Sequence, residues 1–135
     1  MEDSIFEFTK KDLVSGKVYE PAWYRVRIDE TTTEPSKDGG STNHWINGTI
    51  LFNADDGDRK YEDHPIRWSF NSKWMAPARG FFVALGTPEE DIVVGKRFSF
   101  TPAVGKELDV YIENVLFDGR QNNKVNGKFR LPRVA

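Results

Sequence analysis

Cysteine is missing from this chain, so neither a disulfide frame nor a thiolate metal site can form, and no redox compartment is marked. Histidine is scarce: His44 and His64 are the only two, and nothing at ligand spacing accompanies either. Long apolar runs are lacking too. The longest, Phe81–Leu85, is far too short to cross a bilayer. The opening "MEDSIFEFTKKDL" carries acids where a secretory leader carries a basic start, and it has no apolar stretch, which sets the expectation of a cytoplasmic protein. Phosphate-cradling Gly-Lys-Ser/Thr motifs and nucleophile elbows are absent. "NADDGDRKYE" departs from a calcium loop, because Gly57 stands fifth where the loop needs its sixth and no Glu stands twelfth. These absences predict a chain without catalysis, cofactor or resident metal, and leave binding as the chemistry to look for.

What is present suits one domain. The 135 residues can bury a real core. Residues 1–20 have weak periodicity and read as an N-terminal arm; residues 21–135 read as the domain. Net charge is −2, which argues against an indiscriminate phosphate binder, but the charge is unevenly spread. The arm holds Glu2, Asp3, Glu7, Asp12 and Glu20 against three lysines. After Asp118 come Arg120, Lys124, Lys128, Arg130 and Arg133 and not one acid, which predicts a localised cationic surface or, more plainly, a solvated strand end.

The β signal runs from about Ala22 to Thr33, followed by a Pro/Gly/Ser-rich loop at 34–42 and a second strand at 43–53. On that strand Ile46, Ile50 and Phe52 share the core face with Gly48, where a bend or a close backbone approach is expected. A third strand is expected at about 60–70, with Ile66, Trp68 and Phe70 inward. In "SKWMAPARGFFVALG" the period changes to three and four: Trp74, Ala78, Phe81, Phe82 and Leu85 form a helical stripe. Ser72 or Asn71 can cap it, Gly86 can end it, and Pro77 fits only its first turn. A connector with a short strand precedes "ELDVYIENV", and a Gly-centred turn leads to "KVNGKFRL", where Val125, Phe129 and Leu131 point in. Three strands, one helix and two strands is the order of the five-stranded oligonucleotide/oligosaccharide-binding (OB) barrel, so the expected class is mostly β with one helix between strands 3 and 4.

The pieces "PAWYRVRI" (21–28), "EPSKDGG" (34–40), "FFVALG" (81–86) and "VYIENVLFDGRQNNKVNGKF" (110–129) resemble a family of small phage and prophage proteins of replication–recombination gene clusters, described as single-stranded-DNA-binding or of unknown function. Ala22 stands where that family leads one to expect Gly. The resemblance implies binding to DNA during phage replication or recombination inside a bacterial host cell.

Strand phosphates need cations, and unpaired bases need flat rings to stack on. In an OB barrel the ligand crosses strands two and three between the loop after strand one and the loop joining strands four and five. The candidates in those positions are Trp23, Arg25 and Arg27 on strand one, Lys37 in the first loop, Trp45 on strand two and Arg67 on strand three. Arg120, Lys124, Lys128 and Arg130 complete the set on the last turn and strand. The structural alternative covers Trp23 with the arm and pairs Arg25 and Arg27 with cross-strand acids. A second functional reading is a protein-interaction adaptor that recruits a replication or recombination protein through the arm. DNA versus RNA and homo-oligomerisation stay open.

Overall fold

In the computed structural model, residues 5–8, 17–117 and 119–132 are described, so much of the expected arm, Asp118 and Arg133 lie outside the described residues. Five strands form one sheet: β1 (Ala22–Pro35), β2 (Thr42–Asn53), β3 (Pro65–Asn71), β4 (Glu107–Phe117) and β5 (Arg120–Arg130). Their order is β3-β2-β1-β4-β5, with every neighbouring pair antiparallel. The one α-helix among the described residues, α1 (Ala76–Ala84), falls between β3 and β4 and packs on β5. The expected barrel is not closed. β3 and β5 are the sheet's two edges and are not hydrogen-bonded to each other; only side chains bridge them, Trp68 and Phe70 reaching Phe129 at 5.8 and 5.9 Å between ring centres.

Burial follows the alternation. Tyr24, Val26 and Ile28 of β1, Ile46 and Ile50 of β2, and Leu108, Val110 and Ile112 of β4 are buried on one face. Phe81 of α1 sits at the centre, with its ring 5.3 Å from Phe70, 5.5 Å from Phe129 and 5.7 Å from Phe100. Gly48 makes the close approach its position implies: a Cβ there would stand 2.6 Å from Val26 Cγ1 and 2.9 Å from the Arg27 carbonyl oxygen.

Three irregularities break the simple period, one of them between β4 and β5, where Val110 pairs with Phe129 but Ile112 with Val125; the other two lie between β1 and β2. Register slips at Asp29 of β1 and at Leu51 of β2, each inserting one residue against its partner strand. The second slip corrects an expectation: Phe52 does not share the face of Ile50 but lies opposite Arg25, on the outward side. β3 also begins later than expected, because residues 60–64 form turns that bury Tyr61 and His64. His64 is therefore an interior residue. The connector holds two short 3-10 turns, Glu89–Asp91 and Thr101–Ala103, in place of the expected strand.

The helix starts at Ala76 with Pro77 in its first turn, where a missing N–H costs nothing, and neither Asn71 nor Ser72 caps it. Gly86, at φ +100°, ends it: its N–H reaches the Val83 carbonyl and the Thr87 N–H reaches that of Phe82, the paired bonds of a Schellman motif. Trp74 thus precedes the helix and is 69% exposed, not a core residue; Leu131 is exposed as well. At the opposite end, residues 17–20 are tied down across three strands. The Asn123 side chain accepts from the Tyr19 N–H (2.8 Å) and donates to the Lys17 carbonyl (2.7 Å). Asn114 donates to the Tyr19 carbonyl (2.9 Å), and the Tyr19 hydroxyl donates to the Pro65 carbonyl (2.6 Å). Among the described residues, no helix is long and apolar enough to cross a membrane.

Candidate functional site

The outward face carries two separate clusters. The first spans β1, β4 and β5. Register sets Arg25 opposite Asp109 and Asp109 opposite Arg130, so three charged side chains share one rung. Asp109 is 0% exposed. Arg25 Nε donates to it at 2.6 Å and Arg130 Nε at 3.3 Å, while Arg130 Nη2 donates to Asp55 at 2.8 Å. Burial works against the Arg130 charge, but the hydrogen bonds to Asp55 and Asp109 outweigh it and raise its pKa. On the next rung Trp23 faces Tyr111 edge-on at 5.6 Å. The Arg130 guanidinium covers Trp23 at 4.2 Å, and Lys128 Nζ stands 5.3 Å from the Tyr111 ring centre. Phe52 lies between Arg25 and Arg59, at 5.2 and 5.4 Å. Arg27 Nε donates to Asp29 at 2.9 Å. This face builds a charge-neutralised, ring-covered surface in which Arg25 and Arg130 are already matched by carboxylates.

The second cluster lies on β2 and β3. The Arg67 guanidinium covers the Trp45 ring at 3.8 Å, and Trp45 Nε1 donates to Glu34 at 2.6 Å. Arg67 is exposed and has no ion pair among the described residues. Trp45 stands opposite Thr32 in register, so at about 3.3 Å per residue it lies roughly 30 Å along β1 from Trp23. The two tryptophans do not share one groove.

Lys37 is exposed in the turn between β1 and β2. Its neighbour Asp38 accepts from the Ser36 hydroxyl and the Gly40 N–H, bonds that hold its carboxyl below the usual carboxylate range. Arg120 is exposed at the start of β5, just after Gly119 at φ +76°. Lys124 stands opposite Glu113 and lines an open cleft of about 300 Å³ between the two sheet edges, beside Trp74, Asn71 and Asn126. Trp74 and Tyr111 are the ring-bearing positions that sequence reasoning passed over. Pro77 was the signal for Trp74, since a helix that begins beside it leaves Trp74 outside the stripe. Tyr111 alternates with Asp109 on the polar side of β4, the same side as Trp23.

In sum of charge, Lys37, Arg67, Arg120, Lys124 and Lys128 are exposed cations without an ion pair among the described residues, whereas Arg25, Arg27 and Arg130 are matched by carboxylates. Among the described residues no group of His, Asp and Glu is placed to hold a metal ion. Neither a protein-family model nor a curated protein matches the chain.

Proposed function

We propose that the chain binds single-stranded nucleic acid without sequence preference, as a non-catalytic protein of phage DNA replication or recombination. The observation that carries the reading is the Arg67–Trp45 stack, an exposed cation on an aromatic face at 3.8 Å, with no ion pair to the guanidinium among the described residues. A base can stack on such a platform while the cation meets the phosphate, and any base offers the π-face required. The fold supports the reading. Strand order β3-β2-β1-β4-β5 with the helix after β3 is that of an OB barrel, in which the β2–β3 face between the first and last loops takes the ligand. Trp45 and Arg67 lie on that face, with Lys37 in the first of those loops and Arg120 at the start of β5, beside the second. The phage setting rests on the resemblance of the four sequence pieces. Fluorescence anisotropy with labelled single strand, duplex and RNA at two salt concentrations tests it. Binding to single strands that weakens steeply with salt is expected; no binding at low salt overturns the proposal.

A second reading, an adaptor for replication or recombination proteins, is favoured by one observation: Ile5, Phe6 and Phe8 are all exposed on the N-terminal segment. It predicts that capture of a replication protein survives alanine at Lys124 and Lys128 and is lost on deleting residues 1–10.

A further inference from the structure

We infer that the cleft at the far end of β1 and β2 is a nucleotide site, its walls made for a base and its rim for a phosphate. This deepens the single-strand reading and rests on it for the biological ligand. The cleft has a volume of about 620 Å³, inside the roughly 300–1,000 Å³ of small-molecule sites. Thr31 and Thr33 of β1 line one side, His44 of β2 lies opposite Thr33 in register, and Phe82, Phe98 and Phe100 close it.

Its chemistry narrows the occupant. No Asp, Glu, Lys or Arg lines it, so a group with a buried charge would find no permanent countercharge there. The Thr31 and Thr33 hydroxyls and the His44 imidazole have no hydrogen-bond partner among the described residues. An apolar tail would leave those groups unsatisfied as it displaced water. Rings make up the rest: Phe100, stacked on Phe82 at 5.2 Å and on Phe70 at 5.4 Å, backs the cleft beside His44 at 5.2 Å, and Phe98, 40% exposed, presents its ring to an occupant. A neutral, planar ring with donors and acceptors on its edge satisfies all three conditions, and a nucleobase is such a ring. The phosphate has its own place. Lys96 Nζ stands 5.7 Å from the Phe98 ring centre, Arg97 is exposed beside it, and neither has an ion pair among the described residues.

The site is distinct from the Trp45 platform. Successive side chains of β2 point to opposite faces, so His44 looks into the cleft while Trp45 looks out.

Titrating ¹⁵N-labelled full-length protein with thymidine 5′-monophosphate, thymidine and inorganic phosphate tests the inference. Amide shifts at residues 31–33, 44 and 98–101 are expected with the nucleotide, smaller ones with the nucleoside, and none at 31–33 or 44 with phosphate. Thr33→Val and Phe98→Ala should each weaken nucleotide binding about tenfold, by removing a hydrogen bond or a ring face. Their melting temperatures should hold, since Thr33 is exposed and Phe98 is 40% exposed. An oligonucleotide titration separates this inference from the reading beneath it. If the protein binds the oligonucleotide while the cleft amides stay still with every probe, the nucleotide site is wrong and the single-strand reading stands. If the nucleotide moves the cleft amides but no oligonucleotide binds at low salt, the single-strand reading falls and the nucleotide site remains.

Discussion

Asp109, sealed from solvent on β4, accepts a 2.6 Å hydrogen bond from Arg25 of the neighbouring strand and leaves that guanidinium no charge to spare for a ligand. Arg130 holds its other oxygen at 3.3 Å. Removing one member of such a set leaves charge buried without compensation. Asp109→Ala is therefore expected to lower unfolding free energy by about 3–5 kcal/mol, read by urea denaturation. A loss under about 1 kcal/mol would mean that the rung contributes little to stability.

Trp45 and Trp23 should respond differently to truncation. Trp45→Ala is expected to cost about 1–3 kcal/mol of single-strand affinity by anisotropy, with the melting temperature nearly kept. Trp23 is packed between Arg130 and Tyr111, so Trp23→Ala should lower the melting temperature and leave affinity nearly intact. The opposite pattern would move the binding surface to the first cluster.

Salt dependence sorts the cations. Alanine at Arg67, Lys37, Arg120 or Lys124 should each reduce the slope of log affinity against log salt by about 0.7 if the residue meets a phosphate. Arg25→Ala should leave the slope unchanged, because Asp109 already matches its charge. An unchanged slope for all of the first four would sink the phosphate assignment.

Gly48 has no room for a side chain. Gly48→Ala drives a methyl to 2.6 Å from Val26 Cγ1 and 2.9 Å from a backbone oxygen. A loss of about 1–3 kcal/mol in urea titration is expected, from forcing β1 and β2 apart. Stability equal to the parent would show that the strands separate freely at this point.

Stability should also fall in strong base. Burial, reinforced by Tyr61, pushes the Tyr19 phenol up to about 12, above the ordinary value of about 10. Tyr24 is raised as well, first by burial. The folded state therefore favours the neutral phenol. That contribution is complete below about pH 10 and is lost as pH climbs through 10 toward 12. Denaturation midpoints should drop across this window, and more gently in Tyr19→Phe; an equal drop in that variant would place the effect elsewhere.

Much of this architecture could be read from alternation alone. Tyr24, Val26, Ile28, Leu108, Val110 and Ile112 point inward as a period of two requires, and Pro77 with Gly86 bracket the helix. What escaped was decided by contacts distant in sequence. Phe52 faces out because Leu51 is an extra residue against β1, and one added residue inverts every later side chain on that strand. His64 is buried by turns whose packing rings, Tyr19 and Tyr61, lie at different distances along the chain. Among the candidate ligand contacts, the outward placement of Trp45 and of Arg67 could be read from alternation, but not that Arg67, opposite Asn47, reaches diagonally over the Trp45 ring. The capture of Arg25 and Arg130 by one buried carboxylate could not be read either, since an acid on a polar strand face reads as solvated until the neighbouring strands are placed.

The clasp at Tyr19 bears on how the chain reaches this state during synthesis. Its N–H waits for the side chain of Asn123, a separation of 104 positions. On the ribosome that bond cannot close until residue 123 has cleared the exit tunnel, so the first anchored residues are among the last to settle. Until then the Pro65 end of β3 lacks its cover, and a stalled nascent chain truncated before residue 123 should be cut by protease near Tyr19 while the finished protein resists.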